Sequence, residues 1–298
     1  MKSLLLVSLA LCLVACGGSS NSSTTKSSHS DTPVTPADGG SPGGASNDFG
    51  DPVNSQIRPG VRVSADGSGC TSNFLYKLND TTVYLGVAAH CFSPDTNQNI
   101  DPCETNNLPI GFSQITIENA SKPGVLVYTS WRAMQEVGEE PGGETCRLND
   151  FALVQLNVAD IANIHPAVRA FGGPRSLATN VVPTGTVIHL YGRSSNHGGN
   201  RNLETMTGEV VSVSPERWSY DVVTDTPAVP GDSGGPVLDG AGRALAVTSV
   251  LTAGVSINPL RNGVVNLNKA LNYAKQHGFI QQGVTLMAYD EFSAAGDL

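Results

Sequence analysis

Charge is scarce in this chain. Only 14% of its 298 residues are Asp, Glu, Lys or Arg, and only 6% are aromatic. The 17 basic residues form no cluster and the formal net charge is −9. Nothing here could track a phosphate backbone, which excludes nucleic acid as a partner. Long apolar runs are missing too. The best one, Leu4 to Val14, falls well short of the ~20 residues a permanent membrane helix needs. There is no CxxC pair, which argues against a structural zinc site. Residues 95–101, DTNQNID, alternate oxygen-bearing side chains like the start of a calcium loop. They lack the glycine at the sixth position and the glutamate at the twelfth, so they read as a solvated loop. No metal and no cofactor is expected. What the chain has in quantity is 33 Gly and 18 Pro among 39% hydrophobic residues, the composition of a turn-rich β protein.

The first residues, MKSLLLVSLALCLVAC, join one lysine to an apolar run, the form of an export signal. The run ends in Leu13-Val14-Ala15-Cys16, which resembles the bacterial lipoprotein lipobox. That resemblance implies cleavage before Cys16 and acylation of the new terminus. Residues 1–15 are thus expected to be a lipoprotein signal peptide. Several acyl chains, at ~0.8 kcal/mol per buried methylene, anchor a protein firmly. Residues 16–56 are rich in Ser, Gly and Pro and hold almost nothing that a core could bury, so a flexible tether is expected. Some 35 residues of such coil reach roughly 30 Å. The location implied is the envelope of a bacterium, with the protein lipid-anchored to an outer membrane or cell surface.

From Ile57 onward the chain reads as short strands separated by Gly, Pro, Asn and Asp. One set includes GVRVS, NFLYKL, TTVYLGVAA, SQITI, GVLVYTS and DFALVQLNV; a second includes GTVIHLYG, MTGEVVSVSP, WSYDVV, GPVLDG and RALAVTSVL. One segment has helical spacing: Val264, Leu267, Leu271 and Ala274 recur on one face up to His277, with Gly278 placed to cap it. The expected fold is all-β, two tandem six-stranded antiparallel β-barrels followed by a C-terminal helix. The barrels would span about 57–165 and 181–263, with the division near His165–Asn180 and the helix and tail over 264–298. In the tail, VTLMA could add a strand.

Ser233 stands among three glycines in Gly231-Asp232-Ser233-Gly234-Gly235. A serine becomes a nucleophile only with a base to take its proton and a group to orient that base. Of six histidines, His90 is the one held on both sides. Small Ala88 and Ala89 precede it at a strand end, and Cys91 follows. Asp150, at the mouth of the apolar strand FALVQL, is the carboxylate candidate. Four cysteines lie beyond the signal and the anchor: Cys70, Cys91, Cys103 and Cys146. In an exported chain they read as two disulfides, with three pairings open. The alternative nucleophile pattern, G-x-S-x-G, demands a helix after the serine and a histidine later in the chain. Here a strand follows, and His277 is the only later histidine.

Three blocks, GVAAHC (86–91), NDFALVQL (149–156) and PGDSGGPV (230–237), resemble the catalytic blocks of the chymotrypsin-like (trypsin-family) serine proteases, in that family's order. The resemblance covers about residues 57–280. It implies a protease domain over 57–298 in which Ser233 attacks, His90 carries the proton and Asp150 orients His90. It implies an oxyanion hole from the N–H groups of Gly231 and Ser233, and a bridge Cys70–Cys91, which leaves Cys103 with Cys146. Pro227, Ser249 and Leu251 match positions around the substrate pocket, pointing to small or apolar side chains; Asp225, two residues from Pro227, is the alternative pocket residue, and points to basic ones. Protein or peptide substrates and a monomeric state are expected. Two departures stand out. Val87 replaces the usual Thr or Ser, and no Ile-Val-Gly-Gly-like start precedes the domain. Asp232, which pairs with a freed amino terminus in many relatives, therefore needs an internal cation, with Arg193 or another arginine as the candidate. The other functional readings are a non-catalytic protease-like binding domain and an esterase using the same three residues.

Overall fold

The computed structural model describes residues 49–94, 101–249 and 261–298. Cys16 with the tether up to residue 48, residues 95–100 of the DTNQNID loop, and Leu251 lie outside the described residues.

The first half holds β1 (Arg62–Ala65), β2 (Ser68–Thr71), β3 (Leu75–Asn79), β4 (Thr82–Val87), β5 (Thr116–Ile117), β6 (Val125–Thr129), α1 (Ser130–Val137), α2 (Glu144–Leu148) and β7 (Ala152–Gln155). The second holds β8 (Val187–Tyr191), α3 (Arg201–Glu204), β9 (Thr205–Val213), β10 (Ser219–Thr224), β11 (Pro236–Asp239), β12 (Ala244–Ser249) and β13 (Arg261–Asn266), then α4 (Leu267–Gln276) and β14 (Thr285–Leu286).

β8 to β13 close into a six-stranded antiparallel barrel in the order β10-β13-β12-β11-β8-β9. Inward positions on these strands, among them Ile188, Leu190, Val210, Val222 and Val237, form its core. The first half departs from the expected second barrel. It forms two open sheets, β2-β1-β5 and β14-β3-β4-β7-β6. At the end of β2 the Thr71 N–H donates to the Ser233 carbonyl at 2.9 Å, while Ser72 and Asn73, between β2 and β3, donate to Val61 and Gly86. Between β5 and β6 only the single bridge Ile115–Gly124 remains. The two sheets share one core, which joins Val63 and Ile117 to Leu85 and Leu126; within it Phe151 meets Tyr76 and Tyr128 at ring distances of 5.9 and 6.1 Å.

The β1–β2 turn uses Asp66 and Gly67, both left-handed at φ 48° and 84°, the residues a type I′ hairpin demands. The helix expected from Val264 begins three residues later, because Val264–Asn266 complete β13 on the barrel wall. Asn266 caps α4 by accepting from Lys269 N–H. The helices α1, α2 and α3 were not expected; at 8, 5 and 4 residues they are too short for a periodicity to declare itself. VTLMA does supply a strand: Thr285 and Leu286 pair with Lys77 and Tyr76. Beyond it, Ser293 and Leu298 donate main-chain hydrogen bonds to Phe171 and Ala170.

Candidate active site

Buried Ala88 and Ala89 lead from β4 into a 3₁₀ turn, Ala89–Phe92, that carries His90. The disulfide Cys70–Cys91 fastens this turn to β2, and the Asn107 side-chain amide donates to the Ala89 carbonyl at 3.0 Å. β7 pairs with β4 in the register Val87–Ala152, which brings Asp150, two residues before Ala152, alongside the turn.

The Asp150 carboxylate is 3% exposed and both of its oxygens are engaged. Oδ1 accepts the His90 main-chain N–H at 2.9 Å. Oδ2 lies 2.6 Å from His90 Nδ1 and accepts the Ser249 hydroxyl at 2.6 Å. Burial pushes this carboxyl up. The His90 charge and the hydrogen bonds from His90 and Ser249 more than offset that and hold it below the usual carboxylate range. A carboxylate at Nδ1 makes that nitrogen the donor and leaves Nε2 as an acceptor.

Ser233 sits in a loop with Gly231 at φ 104° and Gly234 at φ 88°, values that favour glycine. The first half grips this loop. Thr71 donates its hydroxyl to the Gly231 carbonyl at 2.7 Å and its N–H to the Ser233 carbonyl at 2.9 Å. The Asn73 amide donates to the Gly234 carbonyl at 3.1 Å, and Gly234 N–H donates to Thr248 in β12 at 2.7 Å. Cys91 Sγ, in the residue after His90, lies 4.0 Å from the Ser233 carbonyl oxygen, so the serine loop packs on the histidine turn. Among the described residues, neither the Gly231 nor the Ser233 N–H meets an acceptor.

Asp232 is fully buried, and the side chain that meets it is a histidine, not Arg193 or another arginine. His197 Nε2 lies 3.0 and 2.8 Å from its two oxygens. Arg193 pairs with Glu204 at 2.8 Å and Glu118 at 3.2 Å. It lines a cavity of about 290 Å³ with Arg58, Arg169 and Arg201. Those three guanidinium groups donate to the carbonyls of Ala167 and Val168, to Asn54, and to the carbonyls of Gly296 and Leu298. These bonds tie residues of the two halves together around the cavity, although Arg169 Nε and Arg193 Nε stay buried without a partner among the described residues.

Of the pocket residues, Ser249 is buried against Asp150 and Pro227 is partly buried. Asp225 is exposed, and its carboxylate accepts N–H groups from Thr207 and Thr226 at 3.0 and 2.8 Å, a local turn arrangement. The second disulfide joins Cys103 to Cys146. Beside it, both carboxylate oxygens of Asp101 accept main-chain N–H groups, from Cys103 and Gly142.

Sequence reasoning missed Thr71, Asn73 and His197. Thr71 and Asn73 lie about 160 residues from the loop they hold, and no local pattern announces such a bond. His197 has the flanking Gly-Gly-Asn of a solvated loop.

The family model described as a trypsin-like peptidase domain matches residues 79–247. Among solved structures, the chain is similar to a Nocardiopsis protease at 18% identity, over 77% of this chain and 98% of that one, with a TM-score of 0.44. It is similar to the serine endoprotease from Yersinia pestis at 13% identity, over 78% and 69%, with a TM-score of 0.45. It is similar to the active form of the Rv3671c protease from M. tuberculosis at 17% identity, over 74% and 80%, with a TM-score of 0.41. No curated protein matches the chain.

Proposed function

The chain belongs to the family of trypsin-like peptidase domains, and from that premise we propose that it is a serine endopeptidase whose catalytic residues are His90, Asp150 and Ser233. The observation that carries the reading is the buried Asp150 carboxylate, which takes His90 Nδ1 at 2.6 Å and the Ser249 hydroxyl on the same oxygen. With Nδ1–H committed, Nε2 is the atom that accepts the Ser233 hydroxyl proton as Oγ attacks the scissile carbonyl. The proton then passes to the leaving amine, and water repeats the sequence on the acyl-enzyme. Asp150 stays ionised throughout and stabilises the imidazolium.

The Gly231 and Ser233 N–H groups, which meet no acceptor among the described residues, receive the oxyanion. A donor of this kind contributes roughly 3 kcal/mol in the transition state. The substrates are proteins or peptides, with Pro227 and Leu251 favouring small or apolar side chains. A binding module would have no use for a histidine locked in one tautomer. An esterase reading has no observation of its own in its favour.

The leading segment completes the proposal. Cleavage before Cys16 and acylation there would hold the domain to a bacterial envelope on the 16–56 tether. A fluorophosphonate probe tests the catalytic reading: wild type labels and Ser233→Ala does not. Absence of labelling in folded wild type would sink it. Radiolabelled palmitate incorporation, abolished by Cys16→Ser, tests the anchor.

A further inference from the structure

The turn after β8 makes more contact with the serine loop than any sequence signal announced. Asp232, next to the proposed nucleophile, is fully buried. A buried carboxylate is strongly unfavourable unless it is paired and hydrogen-bonded. Here both oxygens are answered. Oδ1 accepts Ser194 N–H at 2.9 Å, Oδ2 accepts Val229 N–H at 2.9 Å, and His197 Nε2 reaches both. Two of these three partners come from one 3₁₀ turn, Ser195–His197 with its cap Ser194.

Ser194 does a second thing. Its hydroxyl oxygen accepts Asn196 N–H at 3.1 Å. Its own proton goes to the Pro230 carbonyl, with oxygens 2.6 Å apart. In a planar trans peptide the C=O and the N–H point in opposite directions. Fixing the Pro230 carbonyl toward Ser194 therefore fixes the Gly231 N–H away from it, the N–H that meets no acceptor among the described residues. The packing leaves no slack. A Cβ on Gly231 would come within 2.9 Å of Ser194 Oγ, and one on Gly192 within 2.2 Å of Asp232 Oδ1. The turn is itself held by His197 N–H on the Ser194 carbonyl at 3.2 Å and by Gly198 at φ 60°.

We propose that the Ser194–His197 turn is the positioning element of the oxyanion hole: Ser194 orients the Pro230–Gly231 peptide so that the Gly231 N–H faces the reacting carbonyl, and His197 holds the Asp232 side chain around which the same loop is wound. The proposal rests on the catalytic reading above. It assigns to a turn inside the chain the work of ordering the loop, so no new amino terminus is required. The Ile57 N–H agrees with this, since it donates within the chain to Asn163 at 2.9 Å and the Ile57 side chain is fully buried.

An oxyanion donor acts in the transition state and not on ground-state binding. Ser194→Ala is therefore expected to lower kcat on a peptide substrate at least ~10-fold, within the ~10²–10³ range for loss of a whole donor, with KM changed less than about threefold. Affinity for a peptidyl boronic acid, which mimics the tetrahedral state, should fall in step with kcat. Ser194→Thr keeps a hydroxyl and should stay within about threefold of wild type. A merely structural turn would lower the melting temperature while leaving kcat and boronate affinity, measured well below it, unchanged; that result overturns the proposal, and so does a Thr variant as slow as the Ala variant. If Ser194→Ala does not fold, His197→Gln carries the same measurement with the same criteria. Fluorophosphonate labelling of wild type separates the two ideas. Labelled wild type with unaffected turn variants overturns only this proposal, and unlabelled wild type overturns the catalytic reading with it.

Discussion

The hydroxyl of Thr71 donates to the carbonyl of Gly231 at 2.7 Å, across the boundary between the open sheets and the closed barrel. The same oxygen accepts the Arg193 N–H at 2.9 Å. One side chain thus ties β2 to the serine loop and to the segment that follows β8. Thr71→Val preserves shape and the main-chain bond to Ser233 but strips both of these partners. Both partners are partly buried, and leaving them unpaired costs up to about 1–3 kcal/mol. Urea unfolding should register that loss, and kcat/KM should fall as well; a variant with wild-type stability would show that the bond contributes nothing.

Gly234 marks the same seam from the other side. At φ 88° it is left-handed, and an added Cβ would come within 2.4 Å of the Thr71 carbonyl oxygen and 2.9 Å of the Ala88 nitrogen. Both obstacles are backbone, so neither can swing away. Gly234→Ala is expected to lose more than about 2 kcal/mol of stability and most activity, since left-handed strain and overpacking add. Gly67, also left-handed at φ 84° but with no atom within 4 Å of a Cβ, is the control. Its Ala variant should show only the left-handed strain, with activity retained.

The pH dependence of Asp150 has a definite sign. Its carboxyl is held below its ordinary value in the folded protein, whereas the unfolded chain titrates near 3.9. The unfolded state then binds more protons across that window, so stability rises with pH through it. The contribution is present above about pH 4 and is lost as pH falls through the folded value. Asp150→Asn lacks this term. The gap in melting temperature between wild type and variant should narrow as pH drops from neutral to below about 4, read by calorimetry. A constant gap would contradict the assignment.

The two disulfides separate stability from activity. Their sequence separations are 21 and 43. Chain entropy gives roughly 3 and 4 kcal/mol for closing such loops. Removing Cys103–Cys146 as a Ser pair should cost more stability but leave kcat nearly intact. Removing Cys70–Cys91 should cost kcat beyond its stability effect, because Cys91 is in the turn that carries His90. Steady-state kinetics on the two double variants, well below their melting temperatures, decides this; equal kcat losses would refute it.

The sequence by itself determined the β character, the position of most strands and the small set of residues around which chemistry could be built. These properties are local. Strand patterning shows in runs such as TTVYLG, and a glycine-flanked serine or an alanine-flanked histidine can be read within six residues. Only the tertiary structure decided which polar groups meet across more than a hundred residues of chain. It left the first half as two open sheets, and it carried the Thr71 N–H to the serine loop. It gave Asp232 a histidine as its partner and spent Arg193 on Glu204 and Glu118. A buried carboxylate takes whichever donor the fold delivers at hydrogen-bond distance, and that distance is a property of how the strands close and not of the order of residues along them.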